Sequence, residues 1–163
     1  MKNLFLIRHA KSSWEDMSLK DFDRPLNKRG HSDAQDMAHR LKHKAISFDK
    51  ILSSPANRAQ TTAKYFLDIL ENEKTKFELV SDIYNAYEND ILKLVQNTSN
   101  SISNLAVFGH NPTFTILANK FADNYIMNVP TCGIVSINFE TEVWSDFLNV
   151  PNKLVFFDFP KNR

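Results

Sequence analysis

The sequence predicts an α/β fold, a three-layer α/β/α sandwich with a mostly parallel central sheet. Two observations lead to this prediction. Compact apolar runs such as Asn3 to Ile7 and Leu105 to Phe108 are typical of strands buried on both faces, as in parallel sheets covered by helices. These runs alternate with segments whose apolar residues recur at helical spacing, and such alternation produces a layered α/β domain.

The first half of the chain contains the clearest elements. A polar loop, Lys11 to Pro25, follows the first strand, and an amphipathic helix begins near Asn27. Its apolar residues lie at i, i+3, i+4 and i+7 (Ala34, Met37, Ala38, Leu41), and its opposite face carries Asp33, Asp36, Arg40 and His43. A strand is predicted at Lys50 to Ser53. A second helix should then run from Pro55 to about Leu70, with Ser54 as its N-cap.

The second half is predicted to continue the alternation. A strand at Phe77 to Val80 precedes a turn around Asn85 to Asn89, and Asp90 is expected to cap a short helix. The strand Leu105 to Phe108 precedes a helix that opens at Asn111-Pro112. The remaining segment is expected to be strand-rich, with runs at Gly133 to Phe139 and Leu154 to Phe159. Because the 163 residues contain no repeat and no Pro/Gly/Ser-rich linker, we expect one domain over residues 1–163.

Composition excludes several classes of protein. The chain has 20 Lys and Arg against 19 Asp and Glu, so its charge favours neither a nucleic-acid partner nor a membrane surface. The single cysteine, Cys132, excludes an intrachain disulfide and a thiolate zinc cluster. No apolar run approaches the ~20 residues that span a bilayer, and the N-terminal run is too short for a signal peptide. We expect a cytoplasmic protein with no metal and no cofactor.

Three predicted strand ends are followed by cationic or imidazole side chains, namely Arg8-His9, Arg58 and His110. Ligands of α/β sheets bind at the carboxyl ends of the strands, so these positions are expected to share one edge of the sheet. Arg58 falls in the first turn of a predicted helix. The helix dipole disfavours a cation there, so an anion is expected close by.

His110 directly precedes Asn111 and Pro112, the predicted cap and first residue of a helix whose N-terminus favours anions. Taken singly, each of these side chains is more often structural than functional. If they converge, two guanidinium groups and two imidazoles surround one point, and this arrangement suits a phosphoryl group.

Five segments, in order along nearly the whole chain, resemble motifs of the histidine phosphatase superfamily. The first, Leu6 to Trp14, contains Arg8-His9-Ala10 and is similar to the Arg-His-Ala form of the signature in SixA-type phosphohistidine phosphatases. The other four segments are Asp21 to Gly30, Leu52 to Thr62, Val107 to Pro112 and Pro130 to Gly133.

The resemblance implies that His9 takes the phosphoryl group as a covalent phosphohistidine, which water then hydrolyses. It also implies that Arg8, Arg58 and His110 hold the phosphoryl oxygens. These roles agree with the chemistry, because phosphoryl transfer depends chiefly on positioning and charge neutralisation. Attack requires a neutral His9, so we expect nearby cations to lower its pKa, and we expect a bound dianion to raise the pKa of His110.

The general acid departs from the wider superfamily, in which many members use a carboxylate. Asn85 stands where that carboxylate would be expected, while Glu88 lies three residues away and Asp90 lies further along. An alkoxide leaving group needs protonation, whereas imidazole, with a pKa of ~6.5, leaves more readily. We therefore expect a phosphohistidine-bearing protein as substrate, with Glu88 or Asp90 on a mobile loop as alternative acids. The absence of a cap-sized insertion suggests an open site, which suits a protein substrate.

Other polar residues have weaker claims to the site. Ser12 and Arg24 are expected to bind substrate, although Arg24 would alternatively brace its loop through Asp21 or Asp23. Trp14 either lines the entrance of the site or anchors the loop by packing against neighbouring side chains. The spacing of His39 and His43 can chelate a metal, but a solvated helix face is the better interpretation, and His31 has no visible partner. The aromatic residues Phe156, Phe157 and Phe159 indicate a core or edge strand.

Two further functions remain open from the sequence. One is a phosphatase of the same superfamily that hydrolyses a small phosphorylated substrate, which differs only in the leaving group. The other is a phospho-ligand binding module without turnover, in which the imidazole of His9 would be dispensable. Serine hydrolases, P-loop NTPases and Rossmann oxidoreductases are disfavoured, because their glycine-rich motifs are absent.

Overall fold

The computed structural model describes residues 1–162, which form six strands and four α-helices. The strands are β1 (Lys2–Arg8), β2 (Lys50–Ser53), β3 (Lys76–Leu79), β4 (Asn104–Gly109), β5 (Ile134–Phe139) and β6 (Asn152–Asp158). The helices are α1 (Lys28–His43), α2 (Asn57–Leu70), α3 (Glu88–Gln96) and α4 (Thr113–Phe121). Short 3-10 turns occupy Asp21–Asp23, Ser81–Ile83 and Trp144–Asn149.

All six strands form one sheet, in the order β3-β2-β4-β1-β5-β6. The first four strands of the chain are mutually parallel, while β5 runs antiparallel to β1 and β6 runs antiparallel to β5. This arrangement confirms the predicted α/β class and the mostly parallel sheet. It also brings the carboxyl ends of β1, β2 and β4 side by side at one edge of the sheet.

Strand β1 shows why the sheet needs cover on both faces. Leu4 and Leu6 belong to one apolar core, and Phe5 and Ile7 belong to the other, because successive side chains of a strand point to opposite faces. The first core is completed by α3, α4 and the turn Trp144–Asn149, and the second by α1 and α2. The structure therefore has the three predicted layers.

Several element boundaries differ from the prediction. Helix α2 begins at Asn57 rather than Pro55, because the hydroxyl of Ser54 accepts the Ala56 N–H and holds this segment in a turn. Asp90 is the third residue of α3 rather than its cap, and its carboxylate accepts the N–H of Tyr87. The start of α4 also differs, because Pro112 rather than Asn111 occupies the N-cap position and the helix begins at Thr113. The Asn111 side chain accepts the Thr115 N–H from just outside the helix.

The polar side of α1 makes contacts with the C-terminal segment through Arg40. Arg40 forms ion pairs with Asp36 and Asp158 and donates to the carbonyl oxygens of Phe159 and Pro160, so it fastens the C-terminal segment to the helix. The expectation that His31 has no partner is wrong, because its Nδ1 lies 2.9 Å from the Tyr65 hydroxyl.

The remaining histidines of α1, His39 and His43, are exposed. Within residues 1–162, no group of three or more His, Cys, Asp or Glu side chains comes together as a metal site. Cys132 is free and fully buried.

Across the described part of the chain, none of the helices combines the length and the apolar composition needed to cross a membrane.

Candidate active site

The side chains picked out by their positions after strands meet at the carboxyl edge of the sheet. His9 follows β1 and His110 follows β4, and their ring centroids are 5.2 Å apart. Arg58, the second residue of α2, reaches His9 with its Nε atom 3.3 Å from the imidazole Nε2. The structure thus brings together the two imidazoles and one of the two guanidinium groups expected around a phosphoryl group.

His9 has a defined tautomer. Its Nδ1 lies 2.7 Å from the carbonyl oxygen of Ala10, and because a carbonyl only accepts, Nδ1 carries the proton. Its Nε2 is therefore a free base, and it accepts from the Nε of Arg58. Burial, helped by the charges of His110, Arg58 and Arg8, lowers the pKa of His9 to about 3 despite the hydrogen bond to Ala10. The predicted direction is confirmed, with burial as the largest cause.

His110 is held by a hydroxyl and an aromatic ring. Its Nε2 lies 2.8 Å from the Ser54 hydroxyl, and the ring of Tyr84 contacts it edge-on at 5.6 Å. Burial, and then the charge of Arg58, lowers the pKa of His110 to about 4. The rise in this pKa on binding of a dianion stays a prediction about the complex.

Arg58 has an anionic partner, Asp21, as its position in the first turn of a helix predicted. Its Nη1 donates to the carbonyl oxygen of Asp21 at 2.7 Å, and its Nη2 donates to the Asp21 carboxylate at 3.0 Å. The Tyr84 hydroxyl donates to the same carboxylate at 2.7 Å. Burial raises the pKa of Asp21, but the bonds from Tyr84 and Arg58 outweigh it and hold that pKa below its ordinary value. Asp21 is therefore ionised and acts as an acceptor.

Arg8 occupies the end of β1, where it is half-buried. Its Nη1 donates to the Val129 carbonyl oxygen at 2.9 Å, while its Nε is buried without a hydrogen-bond partner. Burial and the charge of Arg58 lower the pKa of Arg8. The charge of Arg8 helps to lower the pKa of both His9 and His110, and its side chain is held by the segment that precedes β5.

Ser12 and Arg24 contact each other rather than the two imidazoles. The Nη2 of Arg24 donates to the Ser12 hydroxyl, and its guanidinium stacks 3.4 Å from the ring centroid of Trp14. Arg24 also forms an ion pair of 3.7 Å with Asp21. These contacts are those of a residue that braces the loop after β1, which is one of the two roles considered for Arg24.

A pocket of about 540 Å³ opens beside the imidazoles. Arg58, His110, Asp21, Tyr84 and Asn85 are among the residues that line it. Neither of the alternative general acids lines this pocket, since Glu88 lies outside it and Asp90 borders a separate pocket of about 440 Å³.

Sequence reasoning missed three residues that contact Arg58 or His110. The position of Arg58 indicated that an anion was needed but did not identify Asp21, because the partner depends on how the loop after β1 folds back. Ser54 was interpreted only as a cap. Nothing in the local sequence distinguishes Tyr84, whose importance comes from its contacts with Asp21 and His110.

Curated relatives match between 39% and 69% of the chain. An uncharacterized chloroplastic protein of Arabidopsis thaliana is 48% identical over 63 residues, which cover 39% of this chain and 29% of that protein. A 2,3-bisphosphoglycerate-dependent phosphoglycerate mutase of Hamiltonella defensa is 34% identical over 80 residues, covering 48% and 32%. The aligned region thus spans less than a third of either relative. An uncharacterized protein of Mycobacterium tuberculosis is 31% identical over 113 residues, covering 69% of this chain and 67% of that protein.

Solved structures resemble the whole fold. A protein of Agrobacterium tumefaciens designated phosphohistidine phosphatase SixA has a TM-score of 0.81 and 24% identity, over 96% of this chain and 97% of that one. The protein histidine phosphatase SixA complexed with tungstate has a TM-score of 0.82 and 20% identity, over 98% of both chains. At these identities the likeness establishes the fold. A family model matches residues 4–88, just over half of the chain, and this chain belongs to the histidine phosphatase superfamily (branch 1).

Proposed function

We propose that this member of the superfamily is a phosphatase that hydrolyses protein phosphohistidine through a covalent phosphohistidine on His9. One observation carries the proposal: the Nε2 of His9 is an unprotonated nitrogen, fixed by the bond from Nδ1 to Ala10 and flanked by Arg58 and His110. In the first step the Nε2 lone pair forms a bond to phosphorus, and the bond from phosphorus to the leaving nitrogen breaks. The substrate ring, protonated on its other nitrogen, departs as neutral imidazole. Water then attacks phosphorus and the bond to Nε2 breaks, which releases dihydrogen phosphate and neutral His9 with its proton still on Nδ1.

The surrounding cations have the roles of binding and neutralising the phosphoryl oxygens. Arg8 and Arg58 are permanently charged, and bidentate guanidinium contacts suit the planar array of oxygens. Arg58 must exchange its bonds to Asp21 for bonds to phosphoryl oxygens, so the loop that carries Asp21 adjusts when substrate binds. His110 becomes the third cation once a bound dianion raises its pKa. These groups can supply charge neutralisation without a metal.

The choice of phosphohistidine follows from the acids of the pocket. Asn85 cannot donate a proton as an acid, and the Asp21 carboxylate is held ionised by Tyr84 and Arg58. An alkoxide would leave poorly from such a site, whereas imidazole has a conjugate-acid pKa of ~6.5 and leaves more readily. The likeness to structures named for phosphohistidine phosphatase activity supports this choice.

The test measures phosphate release in EDTA from a protein phosphorylated on histidine with phosphoramidate and from p-nitrophenyl phosphate. Wild type is expected to act much faster on the phosphoprotein, and His9→Ala to lower that rate about 1,000-fold or more. His43→Ala is the matched control, because His43 is exposed on α1 and does not line the pocket.

Reactions quenched with alkali, in which phosphohistidine is stable, should contain phosphate bound to the wild-type chain and none bound to His9→Ala. Faster hydrolysis of the ester would assign the chain to small-molecule phosphatases instead. Absence of turnover with either substrate, combined with binding that phosphate competes away, would leave a phospho-ligand binding module.

A further inference from the structure

Two segments, residues 14–23 and 84–90, contribute side chains to the lining of the pocket, and Asn111 in that lining contacts a third segment, residues 123–128. We refer to the three segments together as the collar. The parallel strands end at this edge of the sheet, and the antiparallel β5 begins there, so the segments after β1 and β3 and the segment before β5 all emerge on the same side.

Side-chain contacts join the three segments into an arc. Tyr84 bonds to Asp21 and packs edge-on against Phe22, with the ring centroids 5.2 Å apart. The residues that follow His110 link the second segment, 84–90, to the third, 123–128. The Thr113 hydroxyl donates to the Ala86 carbonyl oxygen at 2.5 Å, and the Asn111 amide donates to Asn128 at 2.9 Å.

The collar concentrates the exposed apolar side chains of the molecule. Seven of the twelve exposed large apolar residues in the described chain belong to it, and they are Trp14, Met17, Leu19, Phe22, Tyr87, Tyr125 and Met127. The most exposed of all are Met127 at 84%, Tyr125 at 82% and Met17 at 79%. Exposed apolar clusters of this kind mark interaction sites, and Trp, Tyr and Met are enriched in protein interfaces.

The charge of the collar has the opposite sign to that of the pocket. Apart from Asp21, which pairs with Arg58, the collar has a single lysine, Lys20, and six carboxylates, namely Glu15, Asp16, Asp23, Glu88, Asp90 and Asp123. A cationic pocket thus lies inside an acidic and apolar rim. The rim repels a free polyanion or an anionic bilayer, and it attracts a surface that is basic around a single phosphoryl group.

We propose that the collar docks a folded phosphoprotein whose surface around the phosphorylated side chain is apolar at its centre and rich in lysine or arginine. This recognition rests on the proposed function, because it assumes that the phosphoryl group enters the pocket beside His9. It adds a selection among phosphoproteins according to the protein surface around the phosphorylated side chain, which lies outside the pocket.

The substrates for the test are two versions of one small designed domain with a single exposed histidine among leucines. Four lysines surround that histidine in one version and four glutamates in the other, and both are phosphorylated with phosphoramidate. The free amino acid phosphohistidine is the third substrate. We expect kcat/KM to be about tenfold or more higher for the lysine version, and we expect salt to reduce this preference.

Two sets of variants test the two properties of the collar. Combining Met17→Ser, Tyr125→Ser and Met127→Ser should lower kcat/KM for the lysine version about tenfold, with unchanged turnover of free phosphohistidine. Combining Glu15→Lys and Asp123→Lys should remove the preference between versions. Val155→Ser, at an exposed apolar residue of β6 outside the collar, is the control, and it should change neither kcat/KM for the lysine version nor the preference between versions.

Equal kcat/KM for both versions, or equal losses on the domain and on free phosphohistidine, would overturn the proposal. So would dimers of wild type in sedimentation that the serine variants dissociate, because the collar would then belong to a second copy of this chain. If wild type hydrolyses no phosphohistidine substrate, the proposed function fails by itself. The role of the collar is then tested by binding of the two phosphorylated versions to His9→Ala. Tighter binding of the lysine version would support docking on the collar, and equal binding would overturn it.

Discussion

Asp21 competes with the substrate for Arg58. In the structure both terminal nitrogens of the Arg58 guanidinium are bonded to Asp21, one to its main chain and one to its carboxylate. A phosphoryl group needs the same donors. The Asp21 carboxylate therefore stabilises the free protein and opposes binding of an anion at the same site.

Asp21→Asn is expected to change these two properties in opposite directions. Losing the carboxylate leaves Arg58 and Arg24 without their anionic partner, so the free energy of unfolding should fall by about 1–3 kcal/mol. Inorganic phosphate should inhibit about tenfold more strongly, because the competing charge is gone. Urea unfolding and inhibition constants measure the two effects. Asp23→Asn, in the same turn, is the control, and weaker phosphate inhibition of Asp21→Asn would contradict the competition.

The buried histidines should make stability depend on pH. His9 and His110 have pKa values of about 3 and about 4 in the folded chain, below the ordinary value of 6.5. Between these values the unfolded chain binds more protons, so stability rises with pH and falls as the solution is acidified below pH ~6.5. Each histidine contributes about 1.4 kcal/mol per pH unit to this slope well below pH ~6.5, and about half of that at pH ~6.5.

Urea unfolding at several values between pH ~5 and ~6.5 measures the slope. His110→Asn should reduce it by about half, because one of the two buried imidazoles is removed. His43→Asn should leave it unchanged, since His43 is exposed. A wild-type slope near zero would show that the imidazoles are protonated in the folded chain.

At the scale of single residues, sequence identified the side chains at strand ends and missed those that depend on loop contacts. Arg8, His9 and His110 follow apolar strands, so strand position alone placed them at one edge. Tyr84 reaches His110 and Asp21 across a gap of tens of residues in sequence, and the geometry of two loops decides that contact.

At the scale of elements, α1 fixes the loop that carries Asp21. The Asn27 side chain caps α1 by accepting the Gly30 N–H at 2.8 Å, and the Asn27 N–H donates to the Lys11 carbonyl oxygen at 2.9 Å. Gly30 lies directly against Lys11, because a Cβ at position 30 would be 2.1 Å from the Lys11 carbonyl oxygen. The helix therefore packs on the loop at a distance that only glycine permits.

Gly30→Ala should destabilise the protein, although helix propensity alone predicts a gain of about 1 kcal/mol. The methyl group must push the Lys11 main chain away from α1, which displaces the loop that leads to Asp21. We expect a loss of about 1–3 kcal/mol on unfolding together with reduced kcat. Ser32→Ala, at an exposed position of the same helix, should instead stabilise slightly. Equal stability changes for both variants in urea unfolding would show that the contact relaxes freely.

Element boundaries show where local rules compete. Ser54 and Pro55 are favourable cap and first-turn residues, yet α2 begins at Asn57 because the Ser54 hydroxyl accepts the Ala56 N–H and also contacts His110. No such side-chain contact competes at the start of α1, so this helix begins directly after its Asn27 cap.

At the scale of the whole molecule, two apolar cores share one sheet. Phe66 on α2 lies in one core, and Trp144 lies in the other. Because β1 and β4 contribute alternate side chains to both, loosening one core removes support from the other. The prediction of a single domain over residues 1–163 therefore implies one cooperative unfolding transition.

Phe66→Ala should lower the free energy of unfolding by about 3–5 kcal/mol, because Phe66 is fully buried. The fluorescence of Trp144 and the far-UV circular dichroism should still change at one shared midpoint. Trp14→Phe provides the background, since the chain has 2 tryptophans and only Trp144 then reports. Separate midpoints for the two signals would divide the chain into two folding units.

The direction of the last strands was beyond sequence reasoning. The runs at Gly133 to Phe139 and Leu154 to Phe159 indicated strands, and β5 and β6 occupy nearly those ranges. Strand β5 pairs antiparallel with β1, and β6 pairs antiparallel with β5. The position and direction of these strands depend on the arrangement of the rest of the sheet, and no local sequence pattern indicates them. The parallel half was predictable because helices alternate with its strands.

The proton on Nδ1 of His9 is held by a main-chain atom, the carbonyl oxygen of Ala10. Every amino acid carries that carbonyl, so no substitution at position 10 removes the acceptor. The tautomer that leaves Nε2 free is thus insulated from side-chain mutation, unlike the contacts made by Asp21, Tyr84 and Ser54. Substitutions can therefore change the residues at the rim and around the leaving group, while His9 keeps its proton on Nδ1 and its Nε2 unprotonated.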